Sequence, residues 1–213
     1  MKVILTGATG YVGEGVLLAL LDDRRIEKVL SIGRRSCGVS HPKLEEYLLP
    51  DLMALQAGDA RLSGYDVVFF IAGITSVGTP KDVYKVISQD IPVHFAEIMP
   101  CKDQLSFIYL SGMGTTDKGH QYWQKVKSGT EQSIAGMGFR HAYGWRPCFM
   151  TPYKGQKSKQ VKAQKAAKLF YPLFRLLGMA CTMTEMVDAM YKACTKGYHK
   201  PTVEARDIIR LAK

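Results

Sequence analysis

Three glycines near the amino terminus constrain the fold of this 213-residue chain more than any other feature. The run Thr6-Gly7-Ala8-Thr9-Gly10-Tyr11-Val12-Gly13 follows a short apolar segment and precedes a stretch with apolar residues four positions apart. A strand, a glycine loop and a helix in this order are typical of dinucleotide-binding α/β folds, in which backbone amides at the helix start bind the pyrophosphate. The predicted cofactor contacts in the loop are Gly7, Thr9, Gly10, Tyr11, Val12 and Gly13.

The rest of the chain alternates between short β-rich runs and longer helical stretches. The predicted strands are 2–6, 28–32, 44–49, 66–71, 106–110 and 141–146. The predicted helices are 11–23, 81–99 with a kink at Pro92, 120–137, and 184–195 with Thr184 as N-cap. The run 66–71 is apolar almost throughout, which is typical of a strand buried on both faces. We predict a doubly wound parallel α/β sheet, a Rossmann fold, forming one domain over residues 1–213.

The end of the second predicted strand bears on which dinucleotide binds. NAD-specific folds carry an acidic residue about twenty residues past the glycines, where it holds the ribose hydroxyls. This chain instead has Gly33-Arg34-Arg35-Ser36 at that point. Guanidinium groups bind phosphate well, so we predict NADP(H), with Arg34 and Arg35 at the 2′-phosphate. NAD is the less favoured alternative, with the two arginines on a solvated corner.

Basic residues are concentrated in one region of the chain. The net charge is +10, and residues 133–183 hold nine of the 29 Lys and Arg residues without a single Asp or Glu. We predict that the basic segment 151–183 covers the crevice at the carboxyl ends of the strands. It could pack on the core or a second copy of the chain, meet an anionic small-molecule substrate, or bind a protein partner. A membrane surface is less favoured because Pro172 interrupts a long helix, and no recognisable module favours nucleic acid.

Cysteines and histidines show no pattern of a metal or redox site. The five cysteines are scattered without a Cys-x-x-Cys pair, and the five histidines lack the spacing of metal ligands. We predict no metal and reduced thiols. The start of the chain lacks the apolar core of a signal peptide, and we expect a cytoplasmic protein.

Four segments together resemble the short-chain dehydrogenase/reductase superfamily. They are the loop 6–13, Phe70-Ile71-Ala72-Gly73-Ile74, Tyr109-Leu110-Ser111-Gly112 and Arg146-Pro147. The chain is most similar to small atypical members, the Tat-interacting oxidoreductase-like and NmrA-like groups. The resemblance implies strand order 3-2-1-4-5-6. It also implies further cofactor contacts: Asp51 and Leu52 at the adenine, Ala72, Gly73 and Ile74 at the ribose and pyrophosphate, and Pro147 and Cys148 at the nicotinamide.

The resemblance also implies a catalytic set, which this chain matches in part. Reductases of the superfamily use a serine and then a Tyr-x-x-x-Lys pair on the next helix. The implied residues are Ser111, Tyr122 and Lys127, with Lys127 also holding the cofactor ribose. Position 123, four before the lysine, is however a tryptophan, and Tyr122 is displaced by about 100° of helix rotation.

Three alternatives follow from this displaced register. An irregular helix start brings Tyr122 back to the site, another group such as His120 donates the proton, or the protein binds NADP(H) without turnover. The predicted function is an NADP(H)-dependent oxidoreductase acting on a small carbonyl compound. The alternative is a catalytically silent NADP(H) sensor that signals to a protein partner.

Overall fold

Seven parallel strands form the central sheet of the computed structural model, which describes residues 1–158 and 170–213. They are β1 (Lys2–Thr6), β2 (Lys28–Gly33), β3 (Leu44–Leu48), β4 (Val67–Phe70), β5 (Ser106–Leu110), β6 (His141–Arg146) and β9 (Thr202–Glu204). Their order is β3-β2-β1-β4-β5-β6-β9. A separate parallel pair is formed by β7 (Phe149–Thr151) and β8 (Ala180–Thr182). The predicted Rossmann order is confirmed, with one further strand at its edge.

Helices cover both faces of this sheet. They are α1 (Tyr11–Asp22), α2 (Lys81–Lys85), α3 (Ile91–Ile98), α4 (Tyr122–Ala135), α5 (Tyr171–Leu176), α6 (Met183–Lys196) and α7 (Ala205–Ala212). Short 3-10 turns occupy Leu52–Ala54 and Ala60–Leu62. Side chains of α1, α6 and α7 pack on one face of the sheet, and those of α3 and α4 pack on the other. The carboxyl ends of β1, β2, β4, β5 and β6 therefore meet at one open edge.

Successive side chains of β1 pack alternately into the two parts of the core, one on each face of the sheet. Val3 and Leu5 are fully buried on the side of α1, while Ile4 is fully buried on the side of α3. Because successive strand side chains point to opposite faces, a strand that is apolar throughout needs a helical layer on each side. Removal of this apolar surface from water is the main contribution to the stability of the fold.

The predicted helix 81–99 is interrupted one turn before its proline. A π-helical turn at Val86–Asp90 separates α2 from α3. Within it the Ser88 carbonyl accepts hydrogen bonds from the Tyr109 hydroxyl at 2.7 Å and the Thr130 hydroxyl at 2.9 Å. A carbonyl engaged by two side chains is a physical reason for a local departure from the regular helix ladder. Pro92, the second residue of α3, has no N–H to bond the carbonyl four residues earlier, which is that of Ser88, so the irregularity predicted at this proline is observed as the π-helical turn.

Several predicted boundaries are corrected by side-chain caps. The N-cap of α6 is Thr182, not Thr184: its hydroxyl accepts from the Glu185 amide at 3.1 Å, and the Glu185 carboxylate accepts from the Thr182 amide at 2.8 Å. This reciprocal capping box starts the helix two residues earlier than predicted. Similarly, a box between Gln121 and Gln124 starts α4 at Tyr122 rather than at residue 120. The region after β6, where β-rich runs and helical stretches no longer alternate regularly in the sequence, forms the short elements β7, β8, β9, α5 and α7.

Candidate functional site

The glycine loop joins β1 to α1 in a shape that side chains would block. Gly7 has a positive φ of 76°, and a Cβ there would lie 2.6 Å from the Ala72 nitrogen. A Cβ on Gly13 would lie only 1.9 Å from the Gly7 carbonyl oxygen. Gly10 is the exposed N-cap of α1, and no side chain of residues 1–158 or 170–213 caps this helix start. The amides of the first turn are therefore suited to bind an anion.

A buried hydroxyl connects the glycine loop with the end of β4. Thr6 is fully buried, and its Oγ1 accepts from the amides of Ile71 and Ala72, each at 3.1 Å. These bonds hold the backbone after β4 against Gly7. Ala72 is half-buried, whereas Gly73 and Ile74 are exposed at the carboxyl edge of the sheet. The predicted ribose and pyrophosphate contacts thus lie beside the loop.

Two exposed arginines follow β2. In the described part of the chain, neither Arg34 nor Arg35 makes an ion pair or a side-chain hydrogen bond, so both guanidinium groups are available to a ligand. The turn after them is held by Glu46 of β3, whose carboxylate accepts from the Ser36 hydroxyl and the Cys37 amide, both at 2.7 Å. Burial alone would raise the pKa of Glu46, but these hydrogen bonds lower it below its usual value. Sequence spacing missed this acid because it lies on the neighbouring strand.

The predicted adenine contacts lie after β3. The Asp51 side chain accepts from the Met53 amide at 2.9 Å and thereby caps the 3-10 turn. Leu52 is half-buried against the core face that includes Phe70, whereas Asp51 is exposed. Asp51 therefore caps this turn, and its exposed carboxylate can also contact a ligand.

Two hydroxyl groups lie together at the end of β5. Ser111 is 8% exposed, and its Oγ lies 3.0 Å from the Oγ1 of Thr115. Thr115 donates its own proton to the Gly112 carbonyl at 2.8 Å, so Ser111 is the donor within the pair. The Ser111 oxygen keeps lone pairs that can accept from a substrate or cofactor hydroxyl. Thr115 was not predicted, and only its spacing of four residues from Ser111 could have indicated it.

Lys127 brings an amine to the same place. Its Nζ donates to the carbonyl of Leu110 at 3.1 Å and to the hydroxyl of Tyr109 at 3.5 Å. Burial lowers the pKa of Lys127 to about 8, and the opposing effect of Glu131 is smaller. The Lys127 amine therefore binds the end of β5 at Leu110, the residue before the predicted Ser111.

The Tyr122 ring contacts residues of α2. Its ring packs edge-on against Tyr84, with centroids 6.5 Å apart, and the Lys81 ammonium lies 5.6 Å from the ring centroid. The capping box makes a regular start to α4, so the irregular start that could bring Tyr122 back is not observed. Trp123 instead faces the loop after Ser111: a Cβ built on Gly114 would lie 3.7 Å from its indole ring. His120, the alternative proton donor considered from the sequence, is exposed.

After β6, the chain passes close to the first turn of α1. Pro147 is buried and Cys148 is half-buried, and burial raises the pKa of the Cys148 thiol. The Tyr11 hydroxyl donates to the Met150 carbonyl at 3.0 Å. The predicted nicotinamide contacts thereby lie near the first turn of α1.

Residues 152–158 are anchored to the same helix. The Gln156 side chain donates to the Tyr11 carbonyl at 2.7 Å. The Glu14 carboxylate accepts from the amides of Lys157 at 2.8 Å and Ser158 at 2.7 Å. The start of the predicted basic cover therefore packs on α1, with Lys154 and Lys157 exposed. The basic residues Lys159, Lys162, Lys165 and Lys168 lie outside the described residues.

We expect Glu14→Ala to release this anchor. Hydrogen bonds to a charged acceptor contribute about 1.5–3 kcal/mol each, so hydrogen exchange at Lys157 and Ser158 should accelerate at least about tenfold. Burial raises the pKa of Glu14, but the bonds from Ser158 and Lys157 outweigh it and lower the pKa. The protection should therefore be complete above the unfolded-state pKa and decline as the pH falls through the lowered one. Glu97→Ala, at an exposed position in α3, is the control; equal acceleration in both variants would contradict the anchor.

Other classes of site are not indicated within residues 1–158 and 170–213. No group of three or more His, Cys, Asp or Glu side chains there could hold a metal ion. None of the helices in that part of the chain has the length and apolarity needed to cross a bilayer.

Comparison with known proteins identifies fungal relatives. No family model matches the chain. The chain is 30% identical over 155 residues to "Protein FMP52, mitochondrial" of Chaetomium globosum, and the match covers 69% of this chain and 65% of that protein. The chain thus spans slightly less than two thirds of this relative.

The expectation of a cytoplasmic protein is contradicted by these relatives. The Chaetomium globosum protein and three relatives from Aspergillus and Neosartorya, which are 26–29% identical, are named as mitochondrial. The prediction of a cytoplasmic protein, which rested on the first residues of the chain, is therefore wrong.

Solved structures share the fold over nearly the whole chain. A UDP-glucuronic acid 4-epimerase from Bacillus cereus, solved with UDP-glucuronic acid and NAD, has a TM-score of 0.67 at 15% identity, and the match covers 96% of this chain and 77% of the epimerase. The carbonyl reductase Sniffer of D. melanogaster has a TM-score of 0.64 at 14% identity, with 96% of each chain covered. These solved structures confirm the predicted Rossmann fold, which this chain shares with an NAD-bound epimerase and a carbonyl reductase.

Proposed function

We propose that the protein is an NADP(H)-dependent oxidoreductase that acts on a small carbonyl compound. The observation that carries this proposal is that the Lys127 amine binds the carbonyl of Leu110, the residue that precedes Ser111 at the carboxyl edge of the sheet. A glycine loop is compatible with binding alone. A buried amine with a lowered pKa beside a hydroxyl is a type of arrangement that carries out proton chemistry.

The residues of the cleft fit a nicotinamide dinucleotide. The loop around Gly7, Gly10 and Gly13 leaves room where Cβ atoms would clash, and the amides at the start of α1 suit a pyrophosphate. Lys127 would hold the ribose hydroxyls next to the nicotinamide. When bound, the cofactor supplies or accepts a hydride.

The protein residues would orient the substrate and stabilise its charge. Ser111 would hydrogen-bond the carbonyl oxygen of the substrate, after its hydroxyl turns away from Thr115. Pro147 and the segment after it would exclude water from one side of the crevice, because they run in front of α1. Exclusion of water strengthens each of these polar interactions.

The preference for NADP(H) is supported by the two exposed arginines after β2. We expect replacement of both Arg34 and Arg35 by Ala to weaken NADPH binding about 100-fold, because charge-assisted hydrogen bonds contribute about 1.5–3 kcal/mol each. NADH lacks the 2′-phosphate, so its affinity should change by less than about threefold. Calorimetric titration with both nucleotides measures this. The matched control replaces Arg24, an exposed arginine that lies outside the cleft, at the end of α1; an equal loss for NADPH and NADH would reject the role of the arginines.

A second candidate function is a silent NADP(H) sensor that signals to a protein partner. It is favoured by the position of Tyr122, whose ring lies against α2 while Trp123 stands four residues before Lys127. On this alternative the protein binds the nucleotide tightly without transferring a hydride.

One pair of measurements distinguishes the two functions. Purified protein is titrated with NADPH by calorimetry and then mixed with NADPH and a panel of small aldehydes and ketones, with NADPH absorbance as the readout. Binding together with oxidation supports the oxidoreductase. Binding without oxidation of NADPH by any member of a broad panel supports the sensor, and the absence of heat from either nucleotide excludes both.

A further inference from the structure

The source of the proton is the open step in the proposed reduction. Reduction of a carbonyl group needs one proton on the oxygen for each hydride on the carbon. An indole N–H donates hydrogen bonds but does not titrate in the accessible pH range, so Trp123 cannot supply that proton. Tyr122 faces Tyr84 and Lys81 on α2, and the Thr115 hydroxyl is bound to the Gly112 carbonyl.

Lys127 is surrounded by neutral oxygen atoms. Its ammonium donates to the Leu110 carbonyl and the Tyr109 hydroxyl, and no carboxylate of the described residues lies within ion-pair distance of it. Tyr109 in turn donates its own proton to the Ser88 carbonyl in the π-helical turn. Two neutral acceptors hold the amine in place in both its charged and its uncharged form. An amine in this setting can lose and regain a proton without breaking an ion pair.

The nearest carboxylate is engaged by another residue. Glu131 follows Lys127 by one helical turn, but both of its oxygens accept from the Arg146 guanidinium. Arg146 also contacts Glu204 on β9 at 2.8 Å. Burial raises the pKa of Tyr109, so this phenol stays protonated and does not add a charge beside the amine. Burial likewise raises the pKa of Tyr84 in α2.

We propose that Lys127 is itself the proton donor of this site, in place of the tyrosine that the helix register replaces with Trp123. This inference rests on the proposed oxidoreductase function. As the hydride reaches the carbonyl carbon, the π-electron pair moves to oxygen, the N–H bond of the ammonium breaks, and the O–H bond of the alcohol forms. The products are the alcohol, the oxidised nucleotide and a neutral amine, which regains a proton from water.

The pH dependence of this role follows from the lowered pKa of Lys127, about 8. The donor must be charged, so kcat for carbonyl reduction should be constant below that pKa and fall tenfold per pH unit above it. Alcohol oxidation should show the opposite dependence, because it needs the neutral amine. Acetic anhydride labelling of Lys127 against pH gives a readout that is independent of turnover, since only the neutral amine reacts. Its midpoint should coincide with the fall in kcat.

Two variants test the assignment. Lys127→Met removes the proton, and kcat should fall at least 1,000-fold while calorimetric NADPH affinity falls less than tenfold. Lys127→Arg keeps the charge but does not titrate in this range, so NADPH affinity should be largely retained while kcat remains low and loses its pH dependence above 8. Melting curves of both variants exclude unfolding. Lys125→Met, at an exposed position on the same helix, is the control and should behave as wild type.

The outcomes separate this inference from the proposed function. If the wild type oxidises NADPH and Lys127→Met or Lys127→Arg retains kcat, the lysine serves only the ribose and the inference is rejected. A labelling midpoint above pH 10 would reject it as well. If the wild type binds no nucleotide or shows no turnover, the proposed function fails first, and the inference fails with it.

Discussion

A Gly13→Ala variant is expected to lose nucleotide binding and much of its stability. The new methyl carbon would lie 1.9 Å from the Gly7 carbonyl oxygen. Neither atom can move away by a side-chain rotation, because one belongs to the backbone and the other is bonded directly to it. The loop and α1 must separate, which displaces the amides at the helix start. Overpacking of this kind costs about 1–3 kcal/mol or more, and the loss of two charge-assisted hydrogen bonds weakens binding roughly 100-fold or more. Thermal unfolding and calorimetry with NADPH measure the two effects.

Gly136→Ala provides the matched control. Gly136 lies at the end of α4 with an ordinary negative φ of −82°, and its added Cβ would meet the carbonyl oxygens of Ser133 and Gln132 at the ordinary contact distances of 3.6 and 3.8 Å. Glycine-to-alanine changes at such positions stabilise a protein by about 0.4–1 kcal/mol. If Gly13→Ala melted at the wild-type temperature and bound NADPH normally, the loop could not have the packing described above.

An Arg146→Met variant is expected to lose about 3–5 kcal/mol of unfolding free energy. The Arg146 side chain is 15% exposed and the Glu131 side chain 7%, so the substitution leaves a buried carboxylate without its partner. Charge removed from water without compensation is strongly destabilising. The freed Glu131 lies one turn from Lys127 and would raise the pKa of that amine, so the fall in reductase activity should move to higher pH. Urea unfolding and the pH profile of kcat measure these changes.

Two comparisons isolate the effect of the buried charge. Lys85→Met removes the partner of Asp90 in an ion pair whose side chains are 47% and 37% exposed, and it should cost less than about 1 kcal/mol. Replacement of both Arg146 and Glu131 by Met should recover most of the loss, since neither charge then remains buried. A double variant as unstable as Arg146→Met alone would show that packing, rather than charge, dominates here.

The fold and the glycine loop could be predicted because both depend on local stereochemistry. A turn with positive φ at Gly7 and a helix touching the turn at Gly13 allow only glycine, and this demand is visible in the order of residues. The apolar run of β4 indicates its burial in the same way. Strand order required the family resemblance in addition, since pairing between distant segments leaves little trace in a single sequence.

The catalytic register shows where sequence spacing was insufficient. The sequence shows that Tyr122 and Lys127 are five residues apart, but the direction of the phenol depends on the cap at Gln121 and on the ring of Tyr84. The irregularity near Pro92 could be predicted, but its form as a π-helical turn depends on hydroxyls of Tyr109 and Thr130, far away in the chain.

From residue order alone came the parallel sheet, the anion-binding turn and the paired arginines, because backbone geometry and charge are properties of short segments. The position of the lysine came from the family resemblance. Folding in three dimensions added the Glu46 bonds that hold the arginine turn, the Ser111–Thr115 pair and the neutral surroundings of Lys127. These features decide the chemistry, since a pKa or a hydrogen bond depends on atoms that the chain brings together from distant positions.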